Sequence, residues 1–300
     1  MQEKHCEWIY AVILLFLFSL MSGCVFRGAE KQAAVADGFL IQPHMTSSLA
    51  GHSEIWLSDI RAEDPALVTV LEHMETRDWS AAITGTKQLL KKRPFDKDCF
   101  LVLATAYAAQ GLWDQARFYA RLILQAEPDH VAATNIMGLY RLNEADSSYD
   151  YERSARWFLE SFKASSGEIA SGLNLGYLYL NLGSHQKALN IFETVHERCQ
   201  GCSVAALGLG IAMRRSGQIR QAKRLLEDLV SRSPETMAAW YQLALIMRNN
   251  EKDYKASSGY LRHILDQPKL RDVALLEKAK ALLEANQAPT PPCCISSARG

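Results

Sequence analysis

The 300-residue chain reads as an all-α solenoid: helix hairpins stacked along the sequence and closed by a capping helix at the C-terminal end. Three observations predict this. Small residues beat at 34: Ala82 with Ala116, then Ala188, Ala222 and Ala256. Prolines keep the same beat, Pro94 with Pro128 and Pro234 with Pro268. Between them run apolar stripes with helical spacing. A fixed period of this length is the mark of a helical repeat array. An irregular helical domain gives no reason for alanines and prolines to stay in phase from Ala82 to Pro268.

Each element follows from that register. With Lys97 as position 1, Phe100, Leu103, Ala104 and Tyr107 fall at positions 4, 7, 8 and 11, and Ala116, Ala120, Ile123 and Pro128 at 20, 24, 27 and 32. Positions 4, 7 and 11 form one apolar helical stripe. Small residues at 8 and 20 let two antiparallel helices approach closely. Proline at 32 ends the second helix, because it lacks an amide donor and clashes with the preceding turn.

This pattern resembles the tetratricopeptide repeat (TPR), and the likeness covers about residues 63–286. The first repeat starts near Glu63, with Trp79 and Ala82 in its second helix, and is degenerate at Thr69 and Val70. The third starts at Val131, with Met137, Gly138 and Ala155, and carries about five extra residues around Glu144–Tyr151, read as a longer turn. The fourth starts at Ile169 (Leu175, Gly176, Tyr179, Gly183, Ala188, Phe192), the fifth at Ser203 (Leu209, Gly210, Gly217, Ala222, Leu226) and the sixth at Met237 (Trp240, Leu243, Ala244, Ala256, Tyr260). The resemblance implies a right-handed superhelix of about six hairpins over residues 63–268. A further amphipathic helix over 269–287, apolar at Val273, Leu276, Ala279 and Leu283, covers the last apolar face.

The ends have another character. Trp8–Met21 is an apolar run too short to span a bilayer comfortably and suited to a signal-peptide core. Leu20-Met21-Ser22-Gly23-Cys24 follows and resembles a bacterial lipobox. That resemblance implies a signal peptide over 1–23, lipid such as palmitate on the Cys24 thiol, and a membrane anchor. An uncleaved anchor helix and an ordinary signal peptide stay open as readings; all three place the repeats outside the cytoplasm. Val25 stands where, in enterobacterial lipoproteins, Asp favours inner-membrane retention, so the expectation for a Gram-negative cell is the outer membrane, facing the periplasm. Residues 24–62 read as a tether, and 288–300, with Pro289, Pro291 and Pro292, as a disordered tail.

Composition narrows the function classes. The 33 basic and 33 acidic residues cancel, so no global field draws nucleic acid. No phosphate-binding Gly loop, HExxH, GxSxG or SxxK constellation occurs, and the eight histidines are scattered. The expectation is no enzyme, no cofactor, no metal and no small-molecule substrate. Cys199-Gln200-Gly201-Cys202 sits at the turn between repeats four and five. Such a pair serves as a redox couple, half a metal site or a structural disulfide. An oxidising compartment favours the disulfide, with free thiols and redox use as the other readings. Cys99 reads as plain packing.

In TPR arrays, positions 2, 5, 9 and 12 of each first helix line the partner-binding groove. The resemblance carries that role to Leu101 and Thr105, to Asn135 and Leu139, to Leu173 and Tyr177, to Leu207, Ile211 and Arg214, and to Tyr241, Leu245 and Arg248. An apolar lining with Tyr and Arg suits an amphipathic helix or an extended peptide. A membrane-anchored scaffold for envelope, pilus or secretion components is therefore expected, with type IV or Tad pilus and secretin assembly foremost. A regulator or adaptor of peptidoglycan enzymes, a redox protein using Cys199 and Cys202, and a purely structural surface lipoprotein are the alternatives.

Overall fold

The computed structural model describes residues 65–145, 147–164, 169–267 and 272–287. The signal segment 1–23, Cys24, the tether 24–62, Pro268 and the tail 288–300 lie outside the described residues. All regular structure among the described residues is helical. The chain divides into two compact units, Met1–Gly208 and Leu209–Gly300.

In the first unit, four hairpins follow one another: α1 (Pro65–Glu75) with α2 (Trp79–Lys92), α3 (Lys97–Ala109) with α4 (Trp113–Ala126), α5 (Val131–Asn143) with α6 (Ser148–Ala164), and α7 (Ile169–Asn181) with α8 (His185–Arg198). Helix α9 (Ser203–Arg215) holds the division between the units. The second unit continues with α10 (Ile219–Arg232), α11 (Met237–Ile246) running into a π-helical turn at Met247–Glu251, α12 (Tyr254–Leu265) and α13 (Val273–Gln287). Consecutive helices pack on one another from α1 to α8 in the first unit and from α10 to α13 in the second, the pattern of a TPR solenoid, and α13 lies on α12 as the cap.

Capping residues set the helix starts. Asp78, Asp96, Asp253 and Asp272 accept hydrogen bonds from Ala81, Cys99, Ala256 and Leu275 amides at 2.9–3.0 Å. His130 Nδ1 accepts from Ala133 N at 3.3 Å. Each satisfies an amide that has no partner in the first helical turn, a contribution of about 1 kcal/mol. Pro94, Pro128 and Pro234 each stand two residues beyond α2, α4 and α10. In repeat four that place is taken by the Cys199–Cys202 turn.

The hairpins close through glycine sockets. A Cβ on Gly176 would lie 2.7 Å from the Phe192 ring, and one on Gly138 would lie 2.5 Å from Phe158. Phe158 and Phe192 are fully buried, so each ring fills the space its glycine leaves. These pairs also size the extension in repeat three. Phe192 follows Gly176 by 16 residues and Phe158 follows Gly138 by 20, so the extra length is four residues, not five. The small residue at position 20 is then the fully buried Ser154 rather than Ala155. Repeat one inverts the arrangement: the bulky residue, Val70, is on the first helix and the small one, Gly85, on the second, with the added Cβ 3.0 Å from Val70. The degeneracy of that repeat is therefore a reversed knob and socket.

In five of the hairpins the turn holds a left-handed residue. Gly111, Gly183 and Gly217 fill position 15 with φ of +70 to +84°, and Arg77 fills it in repeat one with φ +60°. Repeat six has Glu251 there instead. Its first helix winds on through the π turn and reverses one residue later at Lys252, φ +58°.

Candidate protein-binding face

Within each unit the expected binding positions lie on apolar first helices. Leu101 and Thr105 on α3, Asn135 and Leu139 on α5, Leu173 and Tyr177 on α7, Ile211 and Arg214 on α9, and Tyr241 and Leu245 on α11 are all buried. Leu207 and Arg248 are half-buried. Helices α5 and α7 are buried on nearly every side, unlike the second helices, which bury one stripe each.

Each unit has one polar couple among these residues. In the first unit Asn174 Nδ2 donates to Asn135 Oδ1 at 2.9 Å, and both residues are fully buried. Their remaining polar atoms, Asn135 Nδ2 and Asn174 Oδ1, are buried with no hydrogen-bond partner among the described residues, as is Thr105 Oγ1. In the second unit Arg214 Nε donates to Gln242 Oε1 at 3.0 Å, again in a buried setting. Sequence reasoning named Asn135 and Arg214 but missed their partners. Asn174 and Gln242 share position 6, where repeats two and three carry Val102 and Ile136. A lone amide inside an apolar first helix was the available signal.

The other expected residues have structural partners. Tyr177 Oη donates to the Val204 carbonyl at 3.0 Å, and its ring meets Phe192 edge-on at 4.9 Å. Burial pushes its phenol well above the usual tyrosine range. Arg248 lies over the Tyr254 ring at 5.6 Å and donates to Asn286 Oδ1. Asn286 Nδ2 in turn donates to Ser257 and Ser258 hydroxyls at 3.0 and 3.2 Å. Arg248 thus ties the π turn to the capping helix.

Cys199 and Cys202 are joined as a disulfide with Cα atoms 5.5 Å apart, bridging the α8–α9 turn around Gly201. This is a helix–turn–helix setting, without the strand-to-helix junction of thioredoxin-type couples. Cys99 is buried, and desolvation pushes its thiol up to about 12, which keeps it protonated and unreactive near neutrality. Among the described residues no cluster of three metal-ligating side chains occurs. Nor is any described helix long and apolar enough to cross a membrane.

Comparison with known proteins agrees with this architecture. The tetratricopeptide-repeat family profile matches residues 67–135 and 207–267. Human cilia- and flagella-associated protein 70 is 27% identical over 189 residues, 62% of this chain and 16% of that protein, so the chain spans a small part of it. Among solved structures, PilW, described as a widely conserved type IV pilus biogenesis factor, superposes with a TM-score of 0.60 at 17% identity, covering 74% of this chain and all of PilW. A tetratricopeptide repeat protein from Parabacteroides merdae superposes with a TM-score of 0.51 at 12% identity, covering 89% of this chain and all of the other. At such identities the likeness is one of fold. The 34-residue register, the glycine sockets and the matching profile lead to one conclusion: over residues 67–135 and 207–267 the chain carries tetratricopeptide repeats, a motif that serves protein–protein interaction.

Proposed function

We propose that this chain is a membrane-anchored scaffold that holds partner proteins on the first-helix face of its repeats and assists assembly of an envelope machine of the type IV or Tad pilus or secretin kind. The observation that carries the reading is that within each unit the first helices are apolar with one polar couple set among them, Asn135–Asn174 in the first unit and Arg214–Gln242 in the second. The lipobox-like Leu20–Cys24 sequence supports anchoring through lipid on Cys24, at the outer membrane facing the periplasm. The fold likeness to PilW supports the pilus assignment over the peptidoglycan and redox alternatives. The scaffold role calls for no catalytic step.

The test is affinity capture from crosslinked, detergent-solubilised membranes. The half-buried Leu207 is changed to Glu on the proposed face, and Phe118, 57% exposed on α4, is changed to Asp as a control away from it. A pilus or secretin component recovered by wild type and Phe118→Asp, but lost by Leu207→Glu with helical circular dichroism intact, supports the reading. Equal recovery by all three moves the site elsewhere, and recovery of nothing removes the scaffold role. Palmitate labelling that survives Cys24→Ser removes the lipid anchor.

A further inference from the structure

The first-helix face of the first unit is closed to solvent in the chain by itself. Leu101, Thr105, Asn135, Leu139 and Leu173 are each 3% exposed or less. Among the described elements of that unit, however, the packed pairs are consecutive helices together with α3 and α5, and none of these lies across α3, α5 and α7. The cover also has a polar specification. Asn135 Nδ2 offers one donor and Asn174 Oδ1 one acceptor, side by side and buried. A main-chain peptide unit in extended conformation, with one C=O and one N–H, matches that pair, whereas a regular helix has already spent its own groups.

We infer that the occupant is the chain's own segment 25–62, laid in extended form across α3, α5 and α7 as an internal ligand that a partner must displace. The inference rests on the scaffold reading above and deepens it. The segment runs directly into α1, which begins at Pro65. Three neighbouring first helices at roughly 10 Å spacing span about 20 Å, which on the order of seven extended residues cross. The segment is far longer than that, and its apolar runs Phe39-Leu40-Ile41 and Ile55-Trp56-Leu57 match the leucine lining. An intramolecular ligand on a short connection acts at millimolar effective concentration, so modest contacts suffice to keep the face closed. Release by a competing partner makes capture conditional on that partner.

Hydrogen exchange on the full-length chain tests this. The variant changes Phe39, Leu40, Ile41, Ile55, Trp56 and Leu57 to Ser and leaves the repeats untouched. Amides of α5 and α7 are expected to exchange about tenfold faster than in wild type, with α4 and α8 unaltered. A synthetic peptide of residues 25–62 added in trans restores the protection, and Asn135→Leu with Asn174→Leu abolishes that rescue. Unchanged exchange in the six-site variant overturns the inference, as does loss of protection on removing residues 1–23 alone, which would make Trp8–Met21 the cover. If exchange is unchanged while Leu207→Glu loses its partner, the internal ligand falls and the scaffold stands. If exchange rises and no partner is captured by any form, the scaffold falls and the internal ligand stands.

Discussion

Repeats four and six solve the same packing problem with different chemistry. Repeat four turns at Gly183, keeps both helices regular and seats Phe192 over Gly176, and its buried polar contacts to the preceding repeat are neutral, the Asn174–Asn135 amide pair and the Ser171–Ser161 hydroxyl pair. Repeat six lacks the glycine, widens its first helix into a π turn and reverses at Lys252. It is then held by charged groups: Arg214 on Gln242, Arg248 on Asn286, and Lys223 on Glu251 at 2.8 Å. Where the backbone is free to turn, apolar complementarity is enough. Where it is not, the displaced residues are tied down by hydrogen bonds that also hold the capping helix.

The comparison is broken most severely at the shared ring. Gly208→Val places a branched side chain where even a Cβ comes within 2.2 Å of Phe192, and the expected loss is about 3 kcal/mol, read as a lower denaturant midpoint of the first unit. Gln242→Leu removes the acceptor of a buried guanidinium and should cost about 2 kcal/mol. Asn174→Leu, which removes a neutral contact, should cost about 1 kcal/mol; equal costs for the two would erase the distinction between charged and neutral couples. Cys199→Ser opens a four-residue loop and is expected to cost about 2 kcal/mol under oxidising conditions and nothing under reducing ones. Gly183→Ala forces a Cβ into the left-handed region, about 1 kcal/mol in thermal melting. The smallest change runs the other way. Gly259 in α12 has open space at its Cβ, so Gly259→Ala stabilises the second unit by up to about 1 kcal/mol.

Much of this was legible in the chain because periodicity reports packing directly. Positions 8 and 20 must be small and position 32 must stop a helix, so alanine, glycine and proline betray the register. The π turn was hidden, since it shifts the reversal by one residue while Ala244 and Ala256 keep their spacing. The size of the repeat-three extension was misjudged because Ser154 and Ala155 are both small, and only the Phe158–Gly138 contact separates them. The amide couples join position 5 to position 6, and position 12 to position 6, across successive repeats. A register read one repeat at a time has no term for such a pair.

Phe192 belongs to repeat four by sequence, but its ring is gripped by Gly176 of its own repeat and Gly208 of the next. The heritable building block of this region is consequently the junction, a phenylalanine with two flanking glycines, and the 34-residue segment is only its spacing. Excising or duplicating repeats at their sequence boundaries would separate the ring from one of its sockets, whereas a crossover placed inside α9 beyond Gly208 would carry the whole clasp intact. Substitutions at 176, 192 and 208 should accordingly be strongly non-additive, since each sets the space available to the other two.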